Sequence, residues 1–96
     1  MLRLSLATLA MLALSPAAEA AAPLAAQACL GCHGLNGAGA TGMPGLAGRD
    51  AGELRALMLA FRANERPGTI MGRIARGYTE DEIAATAEHF ARGGRP

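Results

Sequence analysis

The 96-residue chain contains no tryptophan and no lysine, and its aromatic residues are two phenylalanines and one tyrosine. So few large rings leave a small domain little bulk with which to fill a core of its own. Arginine therefore supplies the basic charge, which balances the acidic residues to a net charge of +1. Since phosphate binding requires clustered positive charge, this balance argues against a nucleic-acid-binding protein. The sequence also lacks a Walker-type or dinucleotide-binding glycine motif.

The N-terminus has the pattern of a secretory signal. A basic start at Arg3 precedes an apolar run over residues 4–14, and Ala18-Glu19-Ala20 has the small-x-small form that a signal peptidase accepts. The apolar run is well short of the ~20 residues that span a bilayer, so a cleaved signal is favoured over an uncleaved membrane anchor. Cleavage after Ala20 and cleavage after Ala22 both fit this pattern.

We therefore predict a signal peptide over residues 1–20 and a single domain over residues 21–96. Export predicts a periplasmic location with no stable membrane insertion after cleavage. A domain of this size has a small hydrophobic core and usually needs an additional stabilising element, such as a disulfide, a metal or a cofactor.

Both cysteines of the chain stand in one pentad, Cys29-Leu30-Gly31-Cys32-His33. C-x-x-C-H is the attachment signal for c-type haem. Two intervening residues let one helical turn present both sulfurs to the same porphyrin edge, where each can bond to a vinyl group. The adjacent His33 would then be the proximal iron ligand. A covalently held porphyrin would also supply the apolar bulk that the chain lacks.

A C-x-x-C-H pentad is also compatible with two other kinds of site. A thioredoxin-like redox pair needs a βαβ pattern around the motif, and the sequence shows none. A zinc site usually has four ligands. The pentad offers Cys29, Cys32 and His33, and His89 is the only spare histidine. Haem is therefore preferred, and a haem-free thiol–disulfide module stays as an alternative.

Apolar periodicity and capping residues predict an all-α fold with several short helices and no strand. The predicted helices cover residues 24–33, 51–63, 70–76 and 80–92, with Gly77 as the C-terminal cap of the third. Capping patterns precede the two long helices: Asp50 with Glu53, and Thr79 with Glu82. The apolar faces are formed by Leu54, Leu57, Met58 and Phe61, and by Ile83, Ala87 and Phe90. The glycine-rich segment 34–49 is predicted to be an irregular loop that covers the cofactor.

The candidates for the sixth iron ligand are Met43, Met58, Met71 and His89. Met71 is preferred by analogy with Met/His haem ligation. It lies well downstream of the pentad, just after the Pro67-Gly68 break, so the chain can return to the opposite haem face. Met58 fits the apolar face of its helix, Met43 is close to the pentad, and His89 suits a packing or surface role. A bis-histidine site and an open iron remain alternatives.

Three stretches of the sequence resemble class I cytochromes c. Residues 28–37 (ACLGCHGLNG) match the haem-site opening of that family, and residues 43–50 (MPGLAGRD) resemble its I-P-S-L-A-G-Q-D stretch. Residues 66–83 (RPGTIMGRIARGYTEDEI) are similar to the cytochrome subunit of flavocytochrome c sulfide dehydrogenase and its single-haem relatives. Met43 and Gly45 depart from the family stretch.

The resemblance implies a small class I cytochrome c fold around one haem c, with the first and last helices crossing at Phe90. It also implies a site composed of Cys29 and Cys32 as thioether anchors, His33 and Met71 as axial ligands, Pro44 as carbonyl acceptor for the histidine, and Tyr78 near the haem. Methionine ligation favours ferrous iron and raises the reduction potential relative to a second imidazole.

The predicted function is one-electron transfer by a periplasmic c-type cytochrome that is not itself an enzyme. The resemblance implies redox partner proteins, among them a sulfide-oxidising flavoprotein beside which this chain would be the haem subunit. Some subunits of that dehydrogenase carry two haems, whereas this chain has one pentad, so a free carrier of the same family is the other reading. A haem-based gas sensor with a weakly held sixth ligand is the alternative from a different class.

Overall fold

The computed structural model describes residues 23–94. The predicted signal peptide, its two cleavage points and the N-terminal boundary of the predicted domain lie outside the described residues. Residues 23–94 contain no β-strand and form five α-helices, which we number α1 (Leu24–Gln27), α2 (Leu30–His33), α3 (Ala51–Arg62), α4 (Met71–Arg76) and α5 (Glu80–Ala91). The all-α prediction is therefore confirmed.

The pentad region departs from the prediction, because the helix expected over residues 24–33 consists of two short pieces. Ala28 and Cys29, between α1 and α2, keep right-handed helical backbone angles, with φ of −63° and −73°. The hydrogen bonds tighten there instead, since the Cys29 amide donates to the Ala26 carbonyl at 3.1 Å. This i to i−3 bond interrupts the α pattern without a sharp bend. A short 3₁₀ helix, Leu35–Gly37, follows α2.

The two long helices begin at the residues that their capping patterns predict. The Asp50 side chain accepts from the Glu53 amide at 2.9 Å, but the Glu53 carboxylate pairs with Arg49 instead of returning to the cap. Helix α5 has the full capping box: the Thr79 amide donates to Glu82 Oε1 at 2.9 Å, and the Glu82 amide donates to Thr79 Oγ1 at 3.1 Å. These caps satisfy amide groups that a helix start leaves unpaired.

The core lies where α5 packs against α1 and α3. Its apolar cluster consists of Ala26, Leu54, Ala87 and Phe90, with Cys29, Leu30 and Leu46 packed against it. The three residues predicted to face inward from α5 are all buried: Ile83, Ala87 and Phe90. On α3 only Leu54 is buried, whereas Leu57, Met58 and Phe61 stay half-buried. Much of the apolar face of α3 is therefore not covered by protein, which leaves it open to an apolar group.

Phe90 also holds the glycine-rich loop against α5. The Gly48 amide donates to the Phe90 carbonyl at 2.8 Å, and the Leu46 amide donates to the Gly37 carbonyl at 2.7 Å. Gly37 has φ of +75°, and a Cβ at this position would lie 2.5 Å from Cε1 of the Phe90 ring. The loop can therefore approach α5 only because residue 37 has no side chain.

We predict that Gly37→Ala destabilises the protein more than Gly42→Ala. Both glycines have φ of +75°, but a Cβ at Gly42 meets nothing within 4 Å. Gly42→Ala should cost about 1 kcal/mol for the left-handed backbone alone. Gly37→Ala should cost about 1–3 kcal/mol more, because the Phe90 ring must shift. Guanidinium unfolding of the two variants, followed by circular dichroism, measures the difference, and equal losses would contradict the close approach.

Candidate functional site

The pentad places its two sulfurs on one helical turn. Cys29 is the N-cap of α2, and the amides of Cys32 and His33 donate to the Cys29 carbonyl at 3.3 and 2.8 Å. Cys29 is half-buried beside the core cluster, whereas Cys32 is exposed. Residues three apart on a helical turn are neighbours on its surface, so both thiols can reach one ligand.

The His33 imidazole is buried and held in one orientation. The side chain is 6% exposed, and Nδ1 lies 2.8 Å from the carbonyl oxygen of Pro44, eleven residues further along the chain. A carbonyl oxygen can only accept, so Nδ1 carries a proton, and in the neutral imidazole Nε2 is then the nitrogen with the free lone pair. This is the contact that the family resemblance implied for Pro44. A neutral imidazole fixed in this way is ready to bind a metal through Nε2.

The loop backbone brings Pro44 to His33. The Gly39 amide donates to the His33 carbonyl at 2.6 Å, which turns the chain back immediately after α2. An isolated antiparallel bridge then joins Ala40 and Met43, whose amides donate to each other's carbonyls at 3.2 and 2.9 Å. The bridge ends at the residue before Pro44. The segment predicted as an irregular loop is therefore extensively hydrogen-bonded through its backbone.

Tyr78 connects the segment between α4 and α5 to the first helix. Its hydroxyl donates to the Ala25 carbonyl at 2.5 Å, and it also interacts with the Cys29 thiol. Burial raises the pKa of Tyr78 above its usual value, and the neighbouring Cys29 raises it further. Burial also raises the pKa of the Cys29 thiol, an effect that the Tyr78 hydrogen bond partly opposes. The phenol is therefore held in its protonated form beside the first cysteine.

The structure thus joins Cys29, His33, Pro44 and Tyr78 through contacts, with Cys32 on the same turn. Met71 is the half-buried first residue of α4, which packs against α3.

Two contacts that hold the site have no signal in the sequence. One is the Ala25 carbonyl that accepts from Tyr78. The other is Arg62, at the end of α3, which donates to the Tyr78 carbonyl at 3.3 Å and lies 3.6 Å from Glu80. Both depend on tertiary packing, because the partners are far apart in the chain.

The residues present fit a c-type haem. Two thiols on one turn can form thioethers, the imidazole offers a free Nε2, and a methionine thioether is a soft ligand that suits haem iron. The half-buried apolar residues of α3 offer a surface for a porphyrin to cover: Leu57, Met58 and Phe61. The donor chemistry and the uncovered apolar face are therefore both consistent with this cofactor.

Over its described residues, the structure does not provide the surroundings that a zinc site or a thioredoxin-like redox pair would need. His89, the fourth ligand that a zinc site would need, is 3% exposed and packs edge-on against Phe90, with the two ring centroids 5.1 Å apart. Among residues 23–94, no group of three or more His, Cys, Asp or Glu side chains is placed to hold a metal ion. No strand flanks the pentad within that part of the chain.

Residues 18–91 match the family model for cytochrome c. The chain belongs to the cytochrome c family. Its cofactor is one covalently bound haem c, and the family typically transfers electrons rather than catalysing reactions. Cytochrome c domains are often periplasmic or extracellular. A comparison with curated proteins found no match. Over the part of this cytochrome that the structure describes, no helix has both the length and the apolar character to cross a membrane.

We predict that the stability of this cytochrome falls at alkaline pH through Tyr78. A raised pKa in the folded state means that the contribution of Tyr78 is fully present below the ordinary tyrosine pKa of about 10. It is lost as the pH rises through the higher folded-state value. Tyr78 is the only tyrosine and the chain has no lysine, so few other groups titrate there. Tyr78→Phe should cost about 1 kcal/mol at neutral pH for the lost hydrogen bond and flatten the alkaline decline.

Guanidinium unfolding of the ferrous holoprotein between pH 8 and about 11.5 measures this effect. Thr79→Ala is the matched control, since it removes the α5 cap at a similar cost of about 1 kcal/mol and keeps the phenol. An alkaline decline that persists unchanged in Tyr78→Phe would refute the assignment.

Proposed function

We propose that this cytochrome carries single electrons in the periplasm through a haem ligated by His33 and Met71. The observation that carries the proposal is the buried His33, oriented by the Pro44 carbonyl on the same turn as both cysteines. Haem iron, when bound, supplies the one-electron step by cycling between Fe(III) and Fe(II). The polypeptide supplies attachment, ligation, burial and a docking surface.

Cys29 and Cys32 are the proposed thioether anchors. Their positions differ, because Cys29 packs against the core and contacts Tyr78, whereas Cys32 faces solvent. Two covalent bonds to one short turn would hold the haem in a single orientation relative to His33. The Tyr78 contacts with Ala25 and Cys29 tie α1 and this turn to the segment that follows α4.

His33 is the proposed proximal ligand. The hydrogen bond from Nδ1 to the Pro44 carbonyl fixes the tautomer and raises the basicity of Nε2. Because the imidazole is buried, water has little access to compete for that nitrogen. Pro44 acts through its backbone oxygen, which the bridged loop holds in place.

Met71 is the proposed second axial ligand, and the surroundings of its rivals support that choice. Met43 directly precedes Pro44, on the Nδ1 side of the imidazole, whereas a ligand opposite His33 must lie beyond Nε2. His89 is packed against Phe90 in the core. Met58 lies within α3, on the apolar face that includes the buried Leu54. Met71 begins α4, which packs against that same helix.

With His33 and Met71 both bound to the iron, no coordination position would be left for a gas or a peroxide, which would favour electron transfer over ligand binding. A methionine sulfur also raises the reduction potential relative to a second histidine. We therefore prefer an electron carrier to the sensor alternative, which requires a weakly held sixth ligand.

The N-terminal pattern of residues 1–20 supports export, and the resemblance of residues 66–83 supports a partner that passes electrons to this haem. A sulfide-oxidising flavoprotein is the proposed donor, with this chain as its haem subunit or as a free carrier beside it. Purification from the native periplasm distinguishes the two arrangements, since a subunit co-elutes with a flavin and a free carrier does not.

We predict that Met71→Ala abolishes the weak ferric methionine-to-iron charge-transfer band. The same change should lower the reduction potential by on the order of 0.1 V, within the about 0.8 V range over which axial ligands act. Rapid carbon monoxide binding should appear in the ferrous variant, because the sixth position is opened. Absorption spectroscopy and a redox titration measure all three effects.

Met43→Ala and Met58→Leu are the matched controls, and both should keep the charge-transfer band. Loss of the band in Met43→Ala, or its retention in Met71→Ala, would overturn the ligand assignment. Rapid carbon monoxide binding by the unaltered ferrous protein would favour the sensor function instead. Mass spectrometry of the exported chain should show one added haem, and its absence would overturn the whole proposal.

A further inference from the structure

The arginines of this chain divide into two groups. Residues 23–94 contain seven of them, and three form ion pairs with carboxylates: Arg49 with Glu53, Arg62 with Glu80, and Arg92 with Glu88. The other four have no carboxylate partner among the described residues and are all exposed: Arg55, Arg66, Arg73 and Arg76. Three of these four belong to a single stretch, residues 66–76, and that stretch contains Met71.

Two of those three arginines are held in place by the surface itself. The Arg66 guanidinium lies over the Phe61 ring, 5.5 Å from its centroid. Arg76 Nε donates to the Gly72 carbonyl at 3.0 Å. Arg73 is three residues before Arg76 on α4, so the two are neighbours on the helix surface. Side chains already fixed in this way lose less entropy when they bind a partner.

Phe61 lies against the middle of this stretch. A Cβ on Gly68 would lie 2.8 Å from the Phe61 ring, and a Cβ on Gly72 would lie 3.6 Å from the Phe61 carbonyl. Arg66, above the ring, and Arg76, bonded to the Gly72 carbonyl, therefore both contact groups that lie against Phe61. We call the area formed by Arg66, Ile70, Arg73 and Arg76 the arginine surface.

The arginine surface has an apolar residue beside its charges. Ile70 is 53% exposed and directly precedes Met71. Glu65 is the only acidic residue between positions 63 and 79, so little negative charge offsets the arginines. Protein interfaces commonly combine an apolar centre with a polar rim, and arginine is enriched in them.

We propose that the arginine surface is the docking site for an acidic face of a redox partner protein. The inference rests on the proposed function, because Met71 as axial ligand places this surface at the haem. Guanidinium groups bind carboxylates through paired hydrogen bonds, so they recognise an acidic protein face well. Complementary charge also speeds encounter between the partners, which suits a carrier that must bind and release repeatedly.

A protein partner fits these observations better than a lipid surface does. Interfacial membrane binding needs an amphipathic helix that buries a broad apolar face. Helix α4 has only six residues, and Ile70 is the one strongly exposed large apolar residue in this stretch. The area therefore offers charge recognition around a small apolar contact rather than a surface that could enter a bilayer.

The test uses the haem-loaded protein with two small oxidants, anionic ferricyanide and cationic tris(phenanthroline)cobalt(III). Arg66→Glu and Arg73→Glu reverse charges on the arginine surface. Arg55→Glu is the matched control, because Arg55 is exposed and unpaired but lies on α3 beside Ala84 and Glu88 of α5. Stopped-flow oxidation of each ferrous protein at low and high salt gives the rates, and a redox titration corrects them for any change in potential.

At about 10 mM salt we expect each surface variant to react on the order of tenfold more slowly with ferricyanide and faster with the cobalt complex. Arg55→Glu should change both rates much less, and 0.5 M salt should remove the differences, since the Debye length falls to a few ångströms (about 4 Å). A ten-residue glutamate peptide should perturb the amide resonances of residues 66–76 in the unaltered protein and not in Arg73→Glu.

Equal rate changes in the surface variants and in Arg55→Glu would overturn the docking proposal, as would peptide binding outside residues 66–76. Adsorption to phosphatidylglycerol vesicles that Arg73→Glu abolishes, with unchanged ferricyanide rates, would assign the surface to a membrane and overturn it too. The absorption spectra of the same samples show whether haem and the methionine band are present. Failure of the proposed function is thereby separated from failure of the docking site.

Discussion

The hydrogen bond between His33 Nδ1 and the Pro44 carbonyl is the constraint on which the rest of the site depends. It joins the turn that carries both cysteines to a loop of otherwise irregular backbone. A cofactor attached only through its edge could still rock about its two sulfur bonds. An oriented imidazole bound to the iron would remove that freedom. The orientation requires the glycine-rich residues 34–44 to be held in one conformation.

That conformation is held by backbone hydrogen bonds and by the last helix. The loop bonds to itself at Ala40 and Met43, to the pentad at His33, and to α5 at Phe90. Phe90 is 1% exposed and contacts Gly37, so one aromatic ring both fills the core and sets the position of the loop. The His33 imidazole is therefore supported from the last helix of the fold. Tyr78 and Arg62 tie the α4–α5 connection to α1 and α3 in a similar way.

Much of this could be read from the sequence because the signals are local. Capping at Thr79 and Glu82, the buried face of α5 and the all-α content follow from spacing and side-chain chemistry, and all are present.

Other features depend on which of several possible partners a group binds in the folded protein, and the sequence does not decide this. Glu53 pairs with Arg49 instead of completing its capping box, and the helix expected over residues 24–33 divides at Cys29. Gly77 caps α4 with φ of −82°, so it does not use the left-handed conformation that glycine permits. The Ala25 carbonyl that accepts from Tyr78 lies 53 residues away, and no local pattern marks it. The signal peptide and the ligand role of Met71 stay predictions.

The incompletely covered face of α3 has a consequence for the life of the polypeptide before haem arrives. Only six apolar residues among positions 23–94 are buried by protein, and three of them are alanines. So small a core cannot offset the chain entropy lost on folding, which is of order 1 kcal/mol or more per residue. The chain should thus remain largely unfolded and open to proteases until its thioethers form. Haem attachment would then decide whether a molecule folds or is degraded by proteases.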